Sequence, residues 1–119
     1  MSIFQSGEDY LERILILSKK LKKVRAIDIV NDMGFSKPSV SLAMKKLKEQ
    51  NLIEIDRGSI ILTDEGEKIA LNVYKKHELL SSFLISLGVS EKVALEDACK
   101  IEHHLSEESY EAIKRSLKN

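Results

Sequence analysis

The tripeptide Gly34-Phe35-Ser36, set between two short amphipathic runs and followed by a hairpin signal, limits what this chain can fold into more than any other stretch. Ile27, Ile29, Val30 and Met33 recur at helical spacing over residues 26–33, and Gly34 ends that run because glycine accepts the left-handed backbone of a helix stop. Ser36 is a good N-cap, and Pro38 stands in the first turn, where a missing N–H costs nothing. The second run then continues to about Gln50, with Val40, Met44 and Leu47 inward. Leu52-Ile53-Glu54-Ile55 and Ile60-Ile61-Leu62 flank Asp56-Arg57-Gly58-Ser59, which predicts a two-stranded hairpin. Helix, turn, helix and hairpin in that order predict a winged helix-turn-helix.

The flanking sequence is helical. A first helix is expected from Ser6, where Ser6-Gly7-Glu8-Asp9 reads as a capping box, and Tyr10, Leu11, Ile14, Leu15, Leu17 and Leu21 form its apolar stripe. Asp9 and Glu12 share one face of it. Thr63 caps a long helix whose early Asp64 and Glu65 match the helix dipole. That helix carries His77 and stops near Gly88; Ser90 caps another to about Leu105, and Ser106-Glu107-Glu108 starts a last one. The expected fold is mainly α, with a winged helix-turn-helix domain over residues 1–63 and an all-helical domain over 64–119. A 119-residue chain of this kind folds alone only marginally, so a second copy is expected. The longest apolar runs, such as 14–17 and 60–62, are far short of a membrane span, and Met1-Ser2-Ile3-Phe4-Gln5 lacks the pattern of a signal peptide. A cytoplasmic protein without a membrane partner is expected.

A net charge of zero hides an uneven distribution. Between Lys19 and Lys48 nine basic residues face two acidic ones, whereas between Glu91 and Glu111 seven acidic residues face two basic ones. The first half suits a polyanion and the last third a cation. For duplex DNA, the start of the second helix of the motif meets base edges, and lysines or serines hold phosphates. Ser36, Lys37, Pro38, Ser39 and Ser41 form the base-proximal set, with Leu42 exposed beside them. Lys45 and Lys46 face phosphates, Arg25 belongs to the basic stretch that leads in, and Arg57 stands at the wing tip. Without arginine or glutamine at the exposed helix start, base reading falls to Ser39, Lys37 and apolar contact with thymine methyls.

Cys99, Glu102 and His103 sit at i, i+3 and i+4, with His104 next to them. On a helix that spacing sets a thiol, a carboxylate and an imidazole on one face, roughly 5–6 Å apart at Cβ, within reach of one divalent metal. Taken singly, each has a plainer reading: the lone Cys99 as core filler or reactive thiol, His104 as a surface group. A metal set beside a DNA-reading motif predicts a transcription factor whose DNA affinity depends on metal. Two other readings stay open. A metallohydrolase would need an open coordination position and a general base, and the chain has no HExxH and no nucleophile constellation. A metal-independent winged-helix regulator would use the acidic third for dimerisation alone.

Five ordered motifs bring a known family into view: Gly7-Glu8-Asp9-Tyr10-Leu11-Glu12, Ser36-Lys37-Pro38-Ser39-Val40-Ser41, Leu62-Thr63-Asp64-Glu65-Gly66, Lys76-His77-Glu78-Leu79-Leu80, and Asp97-Ala98-Cys99-Lys100-Ile101-Glu102-His103-His104-Leu105. Through these the chain resembles the DtxR/MntR group of metal-dependent transcriptional repressors over nearly its whole length. The resemblance implies that Asp9, Glu12, His77, Cys99, Glu102 and His103 are metal ligands, and that the protein is a repressor of metal-homeostasis genes rather than an enzyme. It also implies a homodimer on an inverted-repeat operator, with no small-molecule substrate. The manganese branch has carboxylates at the places of Asp9 and Cys99, the iron branch methionine and cysteine, so this chain mixes the two. Cys99 puts Fe(II) first, with Mn(II) next. Ser81 and Leu95 stand where the iron branch has the additional ligands of its ancillary site, and no SH3-like third domain is expected.

Overall fold

The computed structural model describes residues 5–118, with side chains over 7–117. The elements are α1 (Gln5–Lys20), α2 (Ala26–Met33), α3 (Lys37–Glu49), β1 (Ile53–Asp56), β2 (Ser59–Leu62), α4 (Asp64–Ser86), α5 (Glu91–Ile101) and α6 (Glu107–Lys118). They group into two compact units, Met1–Leu71 and Asn72–Asn119, with α4 contributing to both.

In the first unit α1, α2, α3 and the antiparallel β1–β2 ribbon pack together. Ile14, Ile29, Val40, Leu47 and Ile53 are buried almost completely, each worth about 1.5–3 kcal/mol against exposure. The ring of Tyr10 meets that of Phe35 edge-on, with centroids 5.9 Å apart, and desolvation raises the Tyr10 hydroxyl above the ordinary tyrosine value. The turn chemistry is as expected. Gly34 takes φ 72° and its N–H closes α2 on Val30 O at 3.0 Å. Ser36 caps α3, its Oγ accepting from Ser39 N at 3.2 Å. At the wing tip Arg57 and Gly58 have φ of 52° and 82°, the two positive values of a type I′ hairpin turn, whose hand suits the twist of the strands. The Ile60 N–H reaches Val24 O at 2.7 Å and ties the wing to the segment before α2.

Between β2 and α4, the Thr63 hydroxyl donates to Asn51 O at 2.8 Å and accepts from Gly66 N at 3.1 Å. Leu52 O accepts from Thr63 N at 3.1 Å. Gly66 lies so close to that carbonyl that a Cβ would stand 2.0 Å from Leu52 O. This docking places the first two turns of α4 in the first unit, which runs to Leu71.

The second unit is built from α4 beyond Leu71, α5 and α6, with Val73, Leu80, Ala94, Ala98 and Tyr110 buried. Ser90 and Ser106 act as caps, receiving the N–H groups of Val93 and Ser109. Three local expectations shift. α1 already includes Gln5, one residue before Ser6, whose side chain lies outside the described residues. β1 begins at Ile53 rather than Leu52, whose N–H instead closes on Leu47 O at 3.0 Å. α5 stops at Ile101, not near Leu105: the chain must leave the helix for Ser106 to cap α6, and the N–H groups of His104 and Leu105 both fold back on Ile101 O. Among the described residues no helix is long and apolar enough to cross a membrane.

Candidate metal centre and nucleic-acid interface

α4 and the end of α5 bring His77, Cys99 and Glu102 together, each offering a donor atom within 4.8 Å of the others. His77 Nδ1 lies 2.9 Å from Glu102 Oε2 and 3.8 Å from Cys99 Sγ. The early stop of α5 changes how this set arises. Glu102 is the C-cap, yet it keeps helical dihedrals (φ −57°, ψ −29°). It therefore remains on the Cys99 face, while His103 lies beyond the helix in the turn. The expected single face holds for two of its three members. His103 instead approaches the other carboxylate oxygen, its Nε2 standing 3.5 Å from Glu102 Oε1, too far for a good hydrogen bond.

Glu102 is 1% exposed, and its Oε1 has no hydrogen-bond partner among the described residues. A buried carboxylate with one unsatisfied oxygen is costly and persists where something else compensates it. A thiol, an imidazole and a carboxylate at this separation suit a divalent transition metal, so the residues present fit such an ion. Cys99 is exposed and His77 partly so, giving solvent access to the centre. His104 is exposed and stays outside the set. Asp9 and Glu12 lie one turn apart on α1, in the first unit, with Glu12 buried. Ser81, at the place of an ancillary ligand, spends its hydroxyl on the carbonyls of His77 and Glu78.

In the first unit Lys37, Pro38, Ser39, Ser41, Leu42, Lys45 and Lys46 are all exposed on α3, opposite the buried Val40, Ala43, Met44 and Leu47. Ser36 is exposed too, but its hydroxyl is engaged locally, donating to Ser39 Oγ at 2.8 Å while it caps the helix. That leaves the Ser39 O–H to point its proton elsewhere. A cleft of about 370 Å³ separates α3 from the wing, lined by Ser41, Lys45 and Lys48 above Met44, Ile55 and Ile60. Arg25 lies against the wing turn, its Nη1 3.3 Å from where a Gly58 Cβ would stand. Arg57 occupies a left-handed position where asparagine or glycine is favoured, a conformation costing roughly 1–2 kcal/mol for an L-residue with a long side chain. Spending that on an exposed arginine fits a role for its charge.

Lys48, three residues after Lys45 on the side of α3 left for solvent or a partner, lines the same cleft. One group has a role that the sequence reading missed: Lys76, quoted only within a family motif, is buried and holds the chain after the metal turn, with Nζ 3.2 Å from Leu105 O. Periodicity could have flagged it, since it falls one turn after the buried Val73 and before the buried Leu80.

Comparison with known proteins agrees with both halves. A family model described as the N-terminal DNA-binding domain of iron dependent repressors matches residues 3–58, and one described as their metal binding and dimerisation domain matches 63–119. The chain is 38% identical over 108 residues to the transcriptional regulator MntR of Escherichia coli O157:H7, covering 90% of this chain and 70% of that protein. To the HTH-type transcriptional regulator MntR of Bacillus subtilis (strain 168) it is 37% identical over 109 residues, covering 91% and 77%. Among solved structures, the manganese regulator SloR superposes with a TM-score of 0.85 at 32% identity, over 94% of this chain and 53% of SloR. The chain thus spans about half the length of that structure. With a winged helix, a thiol–imidazole–carboxylate cluster and matches over both halves, this chain belongs to the DtxR/MntR family of metal-dependent transcriptional repressors.

Proposed function

We propose that this chain acts in the cytoplasm as a homodimeric repressor that binds operator DNA when a divalent transition metal is held by His77, Cys99 and Glu102. The observation that carries the reading is the buried, unsatisfied Oε1 of Glu102 beside an imidazole and a thiol. A bound cation supplies the positive charge that lets a carboxylate and a thiolate share so small a volume. Asp9, Glu12 and His103 join the ligand set on the family resemblance. Because α1 belongs to the DNA-reading unit, ligation by Asp9 and Glu12 makes metal affinity and DNA affinity interdependent. Such coupling is typically worth about 1–3 kcal/mol, and linkage requires DNA to tighten metal binding by the same factor.

The choice of metal turns on Cys99. Thiolate and imidazole suit Fe(II) or Zn(II), while carboxylates accept Mn(II). SloR is titled a manganese regulator, and another similar structure is titled a manganese-dependent transcriptional repressor in complex with manganese, which removes the reason to put Fe(II) ahead of Mn(II). They are regulators, not enzymes, and the hydrolase reading falls with that. For the dimer, Ile85, Leu87, Val93, Leu95 and Ile101 expose apolar area in the second unit that a second copy would cover. Two copies related by a twofold axis present two α3 helices, and the operator is then an inverted repeat with half-sites about 34 Å apart or a multiple of that.

The test is a mobility-shift assay on operator DNA after chelation, with Mn(II), Fe(II) and Zn(II) returned one at a time. Binding should vanish with the metal and return with the physiological ion at the lowest free concentration. Binding that ignores the chelator would identify a metal-independent regulator instead.

On the DNA side, replacing Lys45 with alanine should weaken operator and random DNA alike and reduce the log–log salt slope by about 1.8, two phosphate contacts per dimer. Ser39→Ala should instead weaken the operator selectively, by at most roughly 1–3 kcal/mol per half-site, the value of a good base contact. Titrations at several salt concentrations check both, and a sequence-selective loss for Lys45→Ala would mean that α3 enters the groove with a different rotation.

A further inference from the structure

Lys76 is a buried lysine, its side chain 11% exposed, and a cation in such a place is retained only when it is well paired. It has two partners on one short stretch of chain. Nζ lies 3.0 Å from Glu107 Oε1 and 3.2 Å from Leu105 O. Asn72, one turn earlier on α4, donates to the same Glu107 oxygen at 3.4 Å. The Lys76 ammonium holds the Glu107 carboxyl below the usual glutamate range, so this carboxylate is charged when the pair forms.

What these contacts hold matters more than their strength. Residues 102–106 run from the C-cap of α5 to the N-cap of α6, and they contain Glu102 and His103. Glu107 opens α6, and Leu105 lies two residues beyond His103. On the other side, Lys76 directly precedes His77 on α4. One ammonium therefore fastens the far end of the turn to the same helical turn that carries the imidazole facing Glu102.

We propose that Lys76 is a positioning residue of the metal centre: by gripping Leu105 O and Glu107 it sets the separation at which Glu102 meets His77. This inference rests on the reading of His77, Cys99 and Glu102 as metal ligands. Groups that orient ligands without touching the metal typically change its affinity about 10–100-fold when removed, and Lys76 acts on the backbone that carries Glu102.

The experiment compares Lys76→Met, which keeps the buried alkyl stem without the charge, with Lys76→Arg, which restores it. Variants of this chain are titrated with Co(II), following the thiolate-to-cobalt charge-transfer band, and with Mn(II) in competition with Co(II), well below their melting temperatures. Lys76→Met should bind both ions about 10–100-fold more weakly with an altered band, and Lys76→Arg should recover most of the affinity. Native affinity with an unchanged band in Lys76→Met, whatever its melting temperature, overturns the proposal. Should Lys76→Met fail to fold, the exposed Glu107→Gln takes its place, with a smaller loss expected in the same direction and an unchanged affinity counting against it. Glu102→Gln, run in parallel, separates the two levels. If it loses metal while the Lys76 and Glu107 variants do not, only the positioning role fails; if Glu102→Gln keeps full affinity, the metal centre itself fails and this inference with it.

Discussion

Glu102→Gln should abolish metal-responsive operator binding while leaving the fold intact. The amide preserves the shape of the side chain and can keep its contact with His77 Nδ1 at 2.9 Å, but it removes the charge a cation needs. Loss of a ligand should cost more than the roughly 10–100-fold attached to its outer supports, so metal should fail to restore DNA binding at any concentration that serves the wild type. Stability should move differently. In the apo-protein the native carboxylate is buried with Oε1 unsatisfied, and replacing a poorly compensated buried charge by a neutral isostere is commonly neutral or stabilising. Thermal melting of the chelated proteins and operator titration with added Mn(II) check both halves. A variant that melts far below the wild type, or that responds to metal normally, would show Glu102 to be a structural group.

Gly66→Ala should destabilise the protein strongly, against the sign that helix propensity predicts. In a helix, alanine is favoured over glycine by about 1 kcal/mol, and Gly66 sits in the first turn of α4. The new Cβ would stand 2.0 Å from Leu52 O and 3.0 Å from Leu52 C, and both are backbone atoms. The carbonyl cannot simply retreat, since it accepts from Thr63 N at 3.1 Å, while Thr63 itself bridges Asn51 O and Gly66 N. Overpacking of this kind costs about 1–3 kcal/mol and sometimes more. The clash outweighs the propensity, so the denaturant midpoint should fall, and a rise would mean that α4 shifts away from the wing at little cost.

The contrast between these two sites marks how far the sequence can be read. Gly34, Ser36, Ser90 and Ser106 act on groups within four residues of themselves, and Thr63 does so as the cap that receives the Gly66 N–H. A cap or stop is local chemistry, so the order of elements and the winged helix were accessible from the residues alone. Cys99 and Glu102 share a face for the same reason. His77 could be tied to them only through a family resemblance, because no periodicity joins positions 77 and 102.

Two further features depended on packing. That α5 ends at Ile101 follows from the need to turn into α6, and nothing in Glu102-His103-His104-Leu105 resembles a glycine or proline stop. The seam between the units falls after Leu71 because Gly66 docks on the backbone of Leu52, a contact set by the shape of the assembled wing. Local hydrogen bonding thus specified which segments are helix, turn and ribbon. Which oxygen of Glu102 stays unsatisfied, and which lysine grips the turn beyond it, was decided only by long-range burial: an ammonium or a carboxylate acquires such a role once folding has removed the water that would otherwise compensate it.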